Sequence, residues 1–389
     1  MIKTPIISEL IIGALDLEVT PFGILPHRLP RGARERNKNQ TLARMARQSA
    51  GIKLRFRTES TVIRLKMLTT RLKIKGFPER QKGIFDLCVD GRLCRQASAQ
   101  SASYLLVDNP IGSECLQHGA PETIIFSGLP SKAKLVEIWL PHNETTELQS
   151  LYSDAPILPD AQVTKRVWLH HGSSISHGAL AASPIKTWTA VASERAKVDL
   201  INLGFGGSAL LDPNVAQVMC DTKADAISVK IGINLVNLGE MRAQDFVPAV
   251  EQFIDFVRSG HKYTPLLIIS PIYCPIHECT PGPTEPDAEE LKQGRLKFCS
   301  SYRPSGLPNL KLTLEFIRDR LQALVAQRSH SDKALHYLCG KSLYGEQDSQ
   351  SYPLPDRLHP DTETHHLVGS RLAQRVFESG PFSDRFSQH

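Results

Sequence analysis

The chain has 389 residues, of which 41% are hydrophobic and 22% charged, and 46 basic against 40 acidic side chains leave a net charge of +6. This balance excludes a disordered, collagen-like or coiled-coil description of the whole, and a length of two or three domains can bury a core without disulfide staples. The charge excess is too mild to indicate a nucleic-acid partner, no apolar run reaches the about 20 residues of a membrane span, and eight scattered cysteines fit reduced thiols in a cytoplasmic protein better than a disulfide framework.

In chain order, no cleavable leader pattern opens the sequence, because Glu9, Asp16 and Glu18 follow the first residues closely. Residues 28–57 are rich in arginine and lysine; without interleaved aromatics they read as a solvated face rather than a polyanion or acidic-carrier surface. A helix is expected over 39–48. Residues 52–57 and 62–67 alternate apolar and polar side chains, and 84–89, 124–126 and 135–140 add short apolar runs. Period two buries one face of a strand and solvates the other, so residues 1–155 predict an all-β, jelly-roll-like antiparallel sandwich. Trp139 belongs to its core more readily than to a sugar-stacking face. Residues 146–164 read as the linker.

From residue 160 to 389 the rhythm changes. Apolar runs at 167–169, 200–203, 226–231, 266–270 and 335–338 alternate with helical stretches at 185–196, 248–259, 312–327 and 365–377. Strand–helix alternation predicts a parallel sheet with helices on both faces, and ligands of such sheets sit beyond the carboxyl ends of the strands. Residues 274–287, rich in proline, follow the fourth strand and are too long for a mere connection.

The strand ends carry the chemistry. The first runs into Gly172-Ser173-Ser174-Ile175-Ser176, where a serine stands between strand and helix. The second ends in Gly204-Phe205-Gly206-Gly207, whose glycines let the backbone approach a ligand and donate N–H groups. The third ends in Gly232-Ile233-Asn234, an amide that can donate to an oxyanion. Far downstream, Asp356-Arg357-Leu358-His359-Pro360 offers an imidazole that can take a serine proton and a carboxylate that can hold its tautomer. Plainer readings stand beside these. Ser174 can be a helix cap, with Ser173 and Ser176 as neighbouring nucleophile candidates. Gly204 to Ala209 fits a dinucleotide fingerprint, but no carboxylate ends the next strand. Cys274, His277 and Cys279 are three possible metal ligands without a fourth; His277 could instead contact a substrate.

These four ordered blocks resemble the SGNH, or GDSL-type, hydrolases. The resemblance implies a three-layer α/β/α, flavodoxin-like sandwich with strand order 2-1-3-4-5. It implies Ser174 as nucleophile, His359 as base, Asp356 orienting His359, and an oxyanion hole from the N–H groups of Ser174 and Gly207 and the Asn234 amide. No cofactor or metal is implied. The segments 20–30, 139–143 and 270–277 further resemble a bacterial subgroup with a β-sandwich, similar to a carbohydrate-binding module, ahead of the SGNH domain; it includes a polyketide-tailoring acyltransferase. The expected partner is a small ester or thioester, with an alcohol acceptor if the acyl group is transferred. The alternative is an inactive scaffold that binds a glycan or a protein. Two positions depart from the family pattern: Ser173 and Leu235 stand where aspartate is usual, which suits a more apolar mouth.

Overall fold

The structure, a computed structural model, describes residues 1–108, 112–160, 166–303 and 311–386. It divides into two compact units, one of Met1–Arg31, Arg44–Lys165 and Ala182–Lys186, the other of Gly32–Ala43, Arg166–Ala181 and Thr187–His389.

The first unit is built from two β-sheets. One centres on the paired strands Val62–Ile74 and Glu144–Ser153, the other on Lys53–Thr58 and Lys134–Trp139. Ile63, Leu65 and Met67 of the first sheet and Leu54, Phe56, Val136 and Ile138 of the second join one core cluster, as alternate inward positions must. The N-terminal unit is a β-sandwich. Among the described residues, all strand pairs in its two sheets are antiparallel except one: the second half of Val62–Ile74 runs parallel to Ser103–Asp108. Two expectations change. The stretch taken as linker begins inside a ten-residue strand, Glu144–Ser153, and continues into Ile157–Pro159; residues 161–164 lie outside the described residues. The basic stretch 28–57 is not one solvated face, because Arg28, Lys53 and Arg55 are buried. Lys53 pairs with Glu137 at 2.8 Å, and Arg28 Nε donates to the Gln48 carbonyl at 2.7 Å. Such partners are what let a charge leave water. Trp139 is buried under the Lys53 ammonium, which rules it out as a sugar platform.

The second unit carries a five-stranded parallel sheet: β1 Val167–Gly172, β2 Asp199–Gly204, β3 Ala226–Lys230, β4 Leu266–Ile269 and β5 Leu335–Leu338. Their spatial order is β2-β1-β3-β4-β5. β3 and β4 are buried at every position, as strands covered on both faces must be. The helices that matter here are α1 Ser174–His177, α2 Trp188–Ala196, α3 Pro213–Asp221, α4 Ile233–Leu238, α5 Ala243–Gly260, α6 Ala288–Lys292, α7 Leu314–Arg328 and α8 Thr362–Leu372. α2 starts later than expected because Thr187 caps it, its hydroxyl accepting from Ala190 N–H at 3.3 Å. α5 starts five residues before Pro248 and carries that proline inside the helix. β1 lies between β2 and β3, so the chain leaves it in opposite directions across the sheet, and the crevice above the strand ends opens there. Among the described residues no helix is long and apolar enough to cross a membrane.

Candidate active site

The first strand end places a serine on a tight turn. Ser173 takes the N-cap position of α1 and accepts from Ile175 N–H at 3.4 Å, so the residue that stands in place of the usual aspartate has a capping partner. Ser176 is fully buried, and its hydroxyl meets His170 Nε2 at 2.8 Å. Ser174 alone of the three is half-exposed, and its Oγ lies 2.8 Å from His359 Nε2.

His359 is held from behind. Its Nδ1 lies 2.6 Å from Asp356 Oδ2, while the other carboxylate oxygen accepts the backbone N–H groups of Leu358 and His359 at 2.9 and 2.6 Å. Burial works to raise the Asp356 carboxyl, but the hydrogen bonds from His359 and from these backbone N–H groups outweigh it and hold the group below its ordinary value. An ionised Asp356 fixes the proton on Nδ1 and leaves the Nε2 lone pair facing the serine hydroxyl.

The second and third strand ends are joined to this turn. Phe205 N–H donates to Gly172 O at 2.8 Å, and a Cβ on Gly204 would stand 2.6 Å from the backbone of Ser176 and His177. Only glycine permits that approach. Gly207 is exposed and has φ +70°, and a Cβ there would meet nothing nearer than the Thr41 methyl at 3.7 Å, so here the left-handed backbone rather than crowding asks for glycine. The side-chain oxygen of Asn234 accepts Ala209 N–H at 3.1 Å. That bond fixes the amide's orientation and ties the glycine loop to the end of β3, leaving the NH₂ group of Asn234 as its donor.

Beneath the serine turn lies a network of residues largely outside the four ordered blocks. Trp168 Nε1 donates to Ser228 Oγ at 2.8 Å, His170 Nδ1 meets the same hydroxyl at 2.7 Å, and Asn202 Nδ2 donates to Ser176 O at 2.9 Å. Burial pulls His170 well below its ordinary pKa, so it is a neutral structural strut. A polar residue inside an otherwise apolar strand was the available signal.

The loop after β4 corrects one expectation. His277 is fully buried, with Nδ1 at 3.1 Å from Thr280 O and Nε2 at 2.6 Å from Thr284 Oγ1. Both ring nitrogens are engaged within the loop, which leaves none for a substrate. Burial pushes the Cys274 thiol up to about 12, against the thiolate that a metal needs. Sequence reasoning missed the neighbouring segment. Residues 284–300 form a small strap whose Phe298 ring lies edge-on to His359, with centroids 5.9 Å apart.

Residues 164–277 match the profile of the GDSL-like lipase/acylhydrolase family. The second unit carries a GDSL-like lipase/acylhydrolase domain. No curated protein sequence matches the chain. Among solved structures, a salicylyl-acyltransferase of a tetracycline biosynthetic pathway, SsfX3, is 26% identical, with TM-score 0.74 over 93% of this chain and 92% of its own. A putative GDSL-like lipase from Bacteroides ovatus is 18% identical, with TM-score 0.66 over 95% of this chain and 93% of its own. A family two carbohydrate esterase from Clostridium thermocellum is 13% identical, with TM-score 0.57 over 85% of this chain and 93% of its own. The latter two likenesses concern the fold. Both units take part, since the matches extend well beyond the GDSL-type domain, and the chain is an enzyme of the GDSL/SGNH type.

Proposed function

We propose that the protein is a serine-dependent esterase that works through an acyl-enzyme on Ser174, on a small ester or thioester. The observation that carries this reading is the unbroken line of hydrogen bonds from Ser174 Oγ through His359 to Asp356, at 2.8 and 2.6 Å. Ser174 Oγ attacks the carbonyl carbon as His359 Nε2 takes its proton. The carbonyl electrons move to oxygen, where the N–H groups of Ser174 and Gly207 and the Asn234 amide receive the negative charge. Collapse expels the alcohol or thiol, which takes the proton from His359, and water then repeats the sequence on the acyl-enzyme. Each step uses side chains and backbone of the chain itself.

A second reading, transfer of the acyl group to an alcohol of a secondary metabolite, is favoured by the likeness to the salicylyl-acyltransferase across both units. The acyl-enzyme is common to both readings; only the second nucleophile differs. Incubation with a fluorophosphonate tests that shared step, since the serine oxygen bonds to phosphorus as fluoride leaves. Wild type is expected to gain one adduct and Ser174→Ala none. An unlabelled wild type, or an adduct retained in Ser174→Ala, rejects the assignment of Ser174; the first outcome also returns the chain to a binding role. Single-turnover release from nitrophenyl esters and acyl thioesters, with and without alcohols, separates hydrolysis from transfer.

A further inference from the structure

The turn that carries Asp356 and His359 has a local anomaly. Arg357, between them, has φ +68°, the left-handed region that a residue with a Cβ enters only against steric resistance. Its side chain leaves the turn. The guanidinium meets Asp287 Oδ2 at 2.9 Å and Glu290 Oε1 at 3.4 Å, at the start of α6 in the strap. The strap is itself closed: strand Thr284–Pro286 pairs with Phe298–Ser300, and Asp287 N–H donates to Lys297 O at 2.7 Å. It touches the turn twice more. Phe298 N–H donates to Asp356 O at 2.9 Å, and the Phe298 ring packs on His359. On its other side the turn is met by the Cys274 thiol, which donates to Arg357 O at 3.5 Å.

We propose that Arg357 is a positioning residue: its ion pairs to Asp287 and Glu290 lock the left-handed turn between Asp356 and His359 onto the strap and so hold the imidazole at the serine hydroxyl. The inference rests on the reading of Ser174, His359 and Asp356 given above, and deepens it. The turn's own backbone bonds do not need an arginine, since Asp356 Oδ1 receives the N–H groups of Leu358 and His359 whatever stands at 357. What the arginine adds is a second anchor, to carboxylates 70 and 67 residues earlier in the chain, on a strap that also carries the ring against the imidazole. The pair is partly exposed, so its contribution to global stability is small. Its effect is local, on a hydrogen bond that a displacement of a few tenths of an ångström weakens. The shift of Asp287 below its ordinary value, caused first by its hydrogen bond from Arg357, agrees with a formed pair.

The test compares wild type with Arg357→Ala, Arg357→Lys, Arg357→Gly and the double variant Asp287→Asn/Glu290→Gln. The readouts are fluorophosphonate labelling rate, kcat and KM on p-nitrophenyl acetate, and Tm. In the double variant, the amide oxygen introduced at position 287 can still accept the helix-cap hydrogen bonds that Asp287 Oδ1 now receives. Arg357→Ala and the double variant are expected to label roughly ten- to a hundredfold more slowly, with kcat lowered alike and KM within about twofold. Arg357→Lys should recover part of the loss through its charge. Arg357→Gly should exceed Arg357→Ala, because glycine takes the turn without strain. Labelling at the wild-type rate in both Arg357→Ala and the double variant overturns the proposal while leaving the Ser174 reading intact. So does a loss confined to KM or to Tm. A wild type that does not label overturns both. Should Arg357→Ala not fold, the double variant decides alone.

Discussion

Asp356 does two jobs with its two oxygens, and a single substitution separates them. Oδ1 receives two backbone N–H groups, and Oδ2 receives the Nδ1 proton of His359. In Asp356→Asn the backbone N–H groups can be satisfied only by the amide oxygen, because the amide nitrogen is a donor. The NH₂ group then faces His359 Nδ1 and demands a lone pair there. The ring proton is forced to Nε2, where it points at Ser174 and blocks proton uptake. We expect kcat to fall by roughly 10³- to 10⁴-fold with little change in Tm. Measuring acylation by stopped flow beside thermal unfolding checks this, and a loss below tenfold would remove the tautomer argument.

At the scale of elements, the site depends on how closely the end of β2 approaches α1. Gly204 and Gly207 serve that approach differently, and the same substitution should reveal it. A Cβ at 204 would meet backbone at 2.6 Å, which cannot turn aside, whereas at 207 only the φ of +70° resists. Gly207→Ala is therefore expected to cost about 1 kcal/mol and keep most labelling. Gly204→Ala should cost more and slow labelling, because the serine turn must shift; denaturant unfolding and labelling rates for the pair decide it. The site was legible because three apolar runs in order stop at a polar or glycine residue and an aspartate–histidine pair follows downstream, a pattern that composition cannot mimic. Other elements carried no such pattern. Glu144–Ser153 points Thr146, Leu148 and Ser150 inward, so small polar residues mask its period of two and it reads as linker. Ser113–Gln117 is exposed at every position, leaving no alternation to read. The strap strands are three residues each, and the meeting of Phe298 with His359 is a tertiary contact between segments far apart in the chain.

At the scale of the whole molecule, buried histidines set the lower edge of the pH range in which the catalytic unit stays folded. His365 is fully buried: Nδ1 accepts Trp188 N–H at 3.2 Å, and Nε2 donates to Ala179 O at 2.9 Å, joining α8, α2 and the segment after α1. His171, in β1, is also buried, with Nδ1 at 2.7 Å from Leu203 O. Burial pulls each ring down to about 4. In the unfolded chain the same rings titrate near 6.5. Between about 6.5 and 4 the unfolded state therefore binds protons that the folded state refuses, so stability is complete above that window and falls as the pH drops through it. With a difference of that size, each histidine removes about 2 kcal/mol by pH 5. Tm is expected to decline by several degrees between pH 7.5 and 5. His365→Gln can keep one acceptor and one donor but cannot be protonated. It should start from a lower Tm at pH 7.5, since the amide fits the two partners less well, and lose less on acidification. Melting curves of wild type and variant across that range, followed by the tryptophans at 168 and 188, would show converging lines; parallel lines would place the acid sensitivity elsewhere, and a flat wild type would mean that these rings accept protons without unfolding.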